Sequence, residues 1–148
     1  MKKSLIYSAF AVAASFSQPA NASEITVHIL NRDPKTNISF LYNPGVVRAA
    51  TGDTVNWVST NTMHNVSFVS GGVPVGVPAF TSGFQKQISY KFSKPGIYFY
   101  KCGPHFSLGM VGVVVVGNDR SNVAALSKLD LPMAAKQRLN SFMGELTK

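Results

Sequence analysis

Residues 97–116, IYFYKCGPHFSLGMVGVVVV, decide the fold of this chain. Two runs rich in aromatic and β-branched residues, 97–102 and 111–116, predict two strands. Between them, glycine and proline indicate a loop whose two ends are held by the sheet. That loop carries a thiol, an imidazole and a thioether at the spacing C-x2-H-x4-M, in Cys102, His105 and Met110. The stretch therefore predicts a β-rich fold that presents three potential metal ligands on one strand connection.

Most of the chain outside this stretch also consists of short apolar runs with turn-forming residues between them. The runs are 25–30, 40–42, 46–50, 55–58, 66–69 and 88–92. Short strands at this spacing predict a mainly β protein, an antiparallel sandwich or barrel, rather than βαβ units. The end of the chain differs, because residues 121–128 and 132–146 have helical spacing. We expect two short C-terminal helices that pack on the sandwich through Leu139, Phe142, Met143 and Leu146.

The first 22 residues have the features of a secretory signal peptide. Lys2 and Lys3 form a basic start, residues 5–16 are apolar, and Ala20-Asn21-Ala22 matches a small-x-small cleavage pattern. We therefore expect cleavage after Ala22, which leaves one exported domain, 23–148, in a bacterial periplasm. Export makes nucleic acid an unexpected partner, and no membrane span is predicted in the mature chain.

The composition indicates one folded, basic domain. The 148 residues are 45% hydrophobic and only 14% charged, which argues against intrinsic disorder. Fourteen Lys and Arg against six Asp and Glu give a formal net charge of +8, which favours an acidic partner. The single cysteine, Cys102, excludes an internal disulfide framework. A lone thiol in an oxidising compartment needs a ligand or another form of protection.

The chemistry of the site comes from the loop together with one upstream imidazole. His64 stands in Thr62-Met63-His64-Asn65, directly before a predicted strand. Two imidazoles, a thiolate and a thioether are the ligand set of a blue-copper electron-transfer centre. Sulfur ligands suit Cu(I) and imidazoles suit Cu(II), so one arrangement can accept both states with little movement. We therefore predict one copper ion bound by His64, Cys102, His105 and Met110.

Two other classes of protein remain as alternatives. An enzyme could use Cys102 as its nucleophile and His105 as the base, but nothing local suggests an orienting group or an oxyanion site. A zinc module or a copper carrier is the third interpretation, although zinc sites do not use a thioether. An electron carrier without enzymatic turnover explains more of the pattern. His28 is expected to be structural, and Met63 is expected to pack rather than to bind metal.

At these residues the chain resembles the cupredoxins, and among them the pseudoazurin branch. The resemblance extends over residues 24–146 and is carried by five segments: Cys102-Gly103-Pro104-His105, Leu108-Gly109-Met110-Val111-Gly112, Thr51-Gly52-Asp53-Thr54-Val55, His64-Asn65-Val66 and Pro95-Gly96-Ile97-Tyr98. It implies a Greek-key antiparallel β-sandwich and a type 1 copper centre with the four ligands named above. It also implies that Asn65 braces the two ligand segments by hydrogen bonds.

Three positions depart from the pattern of that family. A glycine often precedes the upstream histidine, where this chain has Met63, and a hydroxyl residue often follows the cysteine, where it has Gly103. Near the upstream histidine, this chain has Asn61 and Thr62 at positions where the family often has lysine. The first two changes could shift the potential or the spectrum, and the third alters the contact surface for partners.

The resemblance also implies how electrons leave. One edge of His105 would reach the surface among Pro104, Phe106 and Leu108, with the apolar loop 71–78 nearby if it folds there. Candidates for a basic rim around this contact are Lys101, on the strand face opposite Cys102, and Arg32, Lys35 and Lys86. Similar proteins donate electrons to periplasmic copper nitrite reductase or nitrous oxide reductase in denitrification. A monomer is expected.

Overall fold

A computed structural model describes residues 22–148 of the chain. The predicted signal peptide, apart from Ala22, therefore lies outside the described residues. Eight strands, a single 3-10 turn (Phe106–Leu108) and two helices follow one another within the described part. The strands are β1 (Glu24–Arg32), β2 (Ser39–Asn43), β3 (Val46–Ala49), β4 (Thr54–Ser59), β5 (Ser67–Phe68), β6 (Gln87–Lys91), β7 (Gly96–Lys101) and β8 (Val111–Val116), and the helices are α1 (Val123–Leu126) and α2 (Met133–Leu146).

The strands form two four-stranded sheets, in the orders β2-β1-β4-β6 and β3-β8-β7-β5. The predicted mainly β sandwich with two C-terminal helices is thus confirmed. Its pairing is mixed, however, because β1 pairs with β4 and β3 with β8 in parallel. Alternation of apolar and polar residues is the same for either strand direction, so the sequence pattern does not reveal this.

The uninterrupted apolar run of β8 is explained by burial on both of its faces. Val114 and Val116 belong to the cluster between the two sheets, which also contains Trp57. Val113 and Val115 belong to a second cluster on the outer face of the same sheet. Helix α2 covers that outer face with the predicted residues Leu139, Phe142, Met143 and Leu146.

Helix α1 is shorter than the predicted 121–128. None of the helices within residues 22–148 is both long and apolar enough to cross a membrane. The structure also decides the position of the loop 71–78, which the sequence left open. Its Pro74 lies directly against Gly96, at the start of β7, whereas Cys102 follows the end of that strand. Six strand residues span roughly 20 Å, so this loop lies at the opposite end of the sheet from the ligand loop.

Gly112 accommodates a neighbouring side chain rather than bending the ligand loop. It lies within β8, where a Cβ would overlap the hydroxyl of Tyr100, a ring that is 0% exposed. The glycine therefore leaves room for a buried tyrosine between the sheets. A bend in the ligand loop is provided instead by Gly109, which has the left-handed φ of +83°.

We predict that Gly112→Ala lowers the free energy of unfolding by about 1–3 kcal/mol, because Tyr100 is enclosed and cannot move away. Urea unfolding followed by tryptophan fluorescence measures this change. Gly144→Ala is the matched control: it adds the same methyl group to α2 at a position with nothing within 4 Å. That control should raise stability by up to about 1 kcal/mol. Equal stability of the two variants would contradict the packing argument.

Candidate metal centre

Two imidazoles and a thiol from distant parts of the sequence meet at one end of the sandwich. The Nδ1 atom of His64 lies 3.7 Å from Sγ of Cys102, and the Nδ1 atom of His105 lies 3.5 Å from it. The three potential ligand atoms all lie within 4.8 Å of one another. Cys102 is 0% and His64 1% exposed, while His105 is half-buried. The cluster is therefore buried on one side and open to solvent at His105.

The strand connection after β7 holds Cys102, His105 and Met110 in a compact loop. The Cys102 amide donates to the Met110 carbonyl at 3.0 Å, and the Met110 amide donates to the His105 carbonyl at 3.1 Å. These two bonds bring the three backbones together. Met110 is 0% exposed and belongs to the cluster between the sheets, so its thioether is shielded from water.

Asn65 links the upstream histidine to this loop. Its Oδ1 accepts a hydrogen bond of 2.8 Å from the Gly103 amide, across 38 residues of sequence. Its backbone carbonyl accepts a 2.6 Å hydrogen bond from the hydroxyl of the buried Tyr42. The segment carrying His64 is thereby fixed both to the segment carrying Cys102 and to β2.

The orientation of the His64 ring depends on Asn31, a residue that sequence reasoning missed. Oδ1 of Asn31 lies 2.6 Å from Nε2 of His64. An amide oxygen can only accept, so Nε2 carries the hydrogen and the lone pair of Nδ1 faces Cys102. Asn31 stands in an exposed position near the end of β1, and nothing in the strand pattern distinguishes it.

The protonation of these groups suits metal ligation. Burial lowers the pKa of both imidazoles, and for His64 the neighbouring His105 lowers it further. Both rings are therefore neutral near pH 7, with lone pairs available. Burial raises the pKa of the Cys102 thiol. A positive ion between these groups would offset that cost and stabilise the thiolate.

The positions of these donors fit a single first-row metal ion. Bonds of about 2.0 Å to nitrogen and about 2.3 Å to sulfur, at trigonal angles, would separate a nitrogen from the sulfur by about 3.7 Å. The two nitrogen–sulfur distances, 3.7 and 3.5 Å, are close to this value. Two imidazoles and one thiol beside a buried thioether are also the donor types that favour copper.

Other residues singled out in the sequence lie around this cluster or away from it. Met63 does not pack as expected: it is 56% exposed and has a left-handed φ of +69°. A glycine accommodates such a φ more easily, which explains why its position often carries glycine in similar proteins. The Lys101 ammonium lies 4.4 Å above the ring of Phe106, which packs on the outer-face cluster, so Lys101 lies on the strand face opposite Cys102 as expected. His28 is exposed on β1.

Comparisons with known proteins agree with this geometry. Residues 29–117 match the family model of copper binding proteins, the plastocyanin/azurin family. The chain is 33% identical to pseudoazurin from Paracoccus pantotrophus over 138 residues, which is 93% of this chain and 94% of that relative. It is also similar to the crystal structure of pseudoazurin from Methylobacterium extorquens AM1, with a TM-score of 0.78 and 31% identity, covering 83% of this chain and 98% of that one. Native pseudoazurin from Hyphomicrobium denitrificans gives a TM-score of 0.76 at 33% identity, covering 82% and 97%.

We predict that Asn65→Ala weakens copper binding by about 10- to 100-fold, since partners of metal ligands commonly have effects of this size. The variant frees the Gly103 amide and lets the two ligand segments separate. Competition titration with a copper chelator measures the affinity. Asn118→Ala, which changes an exposed residue beyond the far end of β8, is the control and should bind copper as the unmodified protein does. Equal affinities of the two variants would contradict the bracing role of Asn65.

Proposed function

Since this chain belongs to the pseudoazurins, within the plastocyanin/azurin family of copper-binding proteins, we propose that it carries single electrons between redox proteins in a bacterial periplasm. The protein is an electron carrier with a copper cofactor, and not an enzyme. We assign the ligand roles to His64, Cys102, His105 and Met110. The convergence of two Nδ1 atoms on the buried sulfur of Cys102 is the observation that carries this assignment.

The residues of the chain act by holding donors in place. When bound, copper supplies a one-electron couple between Cu(I) and Cu(II). His64 is fixed through Asn31, and Cys102 is fixed through the backbone bonds of its loop. Met110 contributes a buried thioether, for which we propose a weak axial role that tunes the potential. Because these donors are held in place, the geometry of the site changes little on electron transfer.

His105 provides the route for the electron. Its ring is half-buried, so one part contacts Cys102 while another part faces solvent. Around it lie exposed Pro104, half-buried Phe106 and Leu108, which is 52% exposed. A small apolar contact of this kind can bring a partner close and then release it quickly.

Basic side chains around this contact support an acidic partner. The Lys101 ammonium lies over the ring of Phe106, the residue that follows His105. The exposed residue Arg32 ends β1 and follows Asn31, which accepts a hydrogen bond from His64. Lys86 is also exposed and lies at the same end of that sheet, where its carbonyl accepts from the Ser59 amide. We propose an acidic periplasmic redox enzyme as the acceptor, with copper nitrite reductase and nitrous oxide reductase as first candidates by family resemblance.

Export and processing are part of the same proposal. If cleavage follows Ala22, the new amino terminus is the nitrogen of Ser23. That nitrogen lies 2.7 Å from Oδ1 of Asp53, which is 6% exposed, and the Ser23 carbonyl accepts from Thr54 at 2.9 Å. The mature terminus would thus carry its charge directly against a carboxylate. This contact supports a domain that begins at residue 23.

We predict that the oxidised copper protein has an intense visible absorption band, because a thiolate bound to Cu(II) transfers charge to the metal. The band should bleach on reduction. Cys102→Ser should abolish it while the far-ultraviolet circular dichroism of the sandwich is retained. Weak bands alone in the unmodified Cu(II) protein would contradict the assignment of Cys102.

We predict that association with an acidic redox partner slows as ionic strength rises and slows further in Lys101→Glu. Stopped-flow mixing with the partner measures the second-order rate. Lys91→Glu makes the same charge change at the last residue of β6, which pairs with Thr54 at the end of the sheet away from Lys86. This control should slow the reaction less. Equal rates for the two variants would show that only net charge, and not the surface around His105, directs the encounter.

We predict that Asp53→Asn lowers the melting temperature of the mature protein at pH 7. The backbone nitrogens of Ser23 and Ala50 donate to the Asp53 carboxyl and lower its pKa. The contribution of the carboxylate to stability is therefore present above the pKa that it has in the unfolded chain and is lost as pH falls. The difference between the two proteins should therefore shrink as the pH is lowered from 7 to 3. Thermal melts at several pH values measure the difference in melting temperature. A difference that is independent of pH would contradict this role of Asp53.

A further inference from the structure

One face of the His105 ring is covered by an aromatic side chain from another part of the sequence. The ring of Phe40 stacks on the imidazole with a centroid distance of 4.2 Å and an interplanar angle of 12°. Phe40 belongs to β2, whereas His105 lies in the connection between β7 and β8. Nothing in the sequence pattern indicates this contact.

Phe40 adopts a backbone conformation that is unfavourable for its residue type. Its φ is +51°, in the left-handed region that bulky side chains rarely occupy. The register between β1 and β2 pairs Leu30 with Leu41 and Arg32 with Ser39, and the intervening partners would be Asn31 and Phe40. The regular pairing is interrupted at the two residues whose side chains reach His64 and His105.

The surroundings of Phe40 hold it in this conformation. The strand pairs on either side fix the backbone, and Arg138 of α2 donates to the Phe40 carbonyl at 3.5 Å. Strain of this kind persists only where neighbouring structure determines it, and it is concentrated at functional sites. The stacked ring is the feature that the strained backbone produces here.

We propose that Phe40 is a positioning residue for His105, an inference that rests on the proposed ligand role of that histidine. The flat contact fixes the plane of the imidazole and opposes its rotation away from Cys102. It also excludes water from one face of the ring, which leaves the edge beside Pro104 and Phe106 as the route for electrons. Asn31 and Phe40 together then orient both imidazoles from one interrupted strand pair.

The test compares Phe40→Leu, which keeps an apolar side chain of similar size, with Phe40→Tyr, which keeps the ring. In the copper-free protein, the ring current of Phe40 should shift the His105 ring protons upfield in the NMR spectrum. We expect Phe40→Leu to lose this shift and Phe40→Tyr to retain it. In competition titrations, copper affinity should fall by about tenfold in the Leu variant, as for other partners of metal ligands, and should be restored in the Tyr variant.

Several results would overturn the inference. One is a set of His105 ring signals that is the same in the Leu variant and in the unmodified protein. Another is a loss of copper affinity that Phe40→Tyr does not restore. If Phe40→Leu fails to fold, nuclear Overhauser effects between the two rings in the unmodified protein decide the question, and their absence overturns it. The failure of the copper assignment itself is distinguishable, because the unmodified protein would then lack the intense visible band altogether.

Discussion

The hydrogen bond from the Gly103 amide to Oδ1 of Asn65 joins the two segments that carry the potential ligands. Besides this bond, the pairing of the short strand β5 with β7, which matches Ser67 with Lys101, holds the two segments together. The bond crosses 38 residues of sequence and lies beside a thiol that is 0% exposed. A buried thiol with a raised pKa needs a compensating charge nearby, so the fixed distance between these segments is what makes a metal site possible.

The rest of the fold supports this arrangement from two sides. The cluster between the sheets encloses Cys102 and Met110, while α2 packs on the outer face of the sheet that carries them. Helix α2 also reaches the ligand loop, because a Cβ at Gly109 would meet the Ala134 carbonyl at 2.9 Å. The same helix contacts the Phe40 carbonyl through Arg138. Helix α2 thus supports the site as well as the sandwich.

The ligand loop and the strands around it are local in sequence, so the spacing of Cys102, His105 and Met110 predicts both the fold class and the donor set. Contacts that depend on tertiary structure are not predictable in this way. The left-handed φ of Phe40 and the hydrogen bond that His64 donates to Asn31 occur where the regular pairing of β1 with β2 is interrupted. The position of the loop 71–78 was left open by the sequence, because its apolar composition does not specify which end of β7 it packs against.

The central claim is that one copper ion lies between His64, Cys102 and His105 in a site that the chain holds ready for it. Anomalous diffraction at the copper absorption edge, from crystals of the copper-loaded protein, tests this claim most directly. We expect one strong peak between the two Nδ1 atoms and the Cys102 sulfur, with Met110 on one side and the ligand side chains unmoved. A peak at another position, such as the exposed His28, or a site that forms only after both rings rotate, would contradict it.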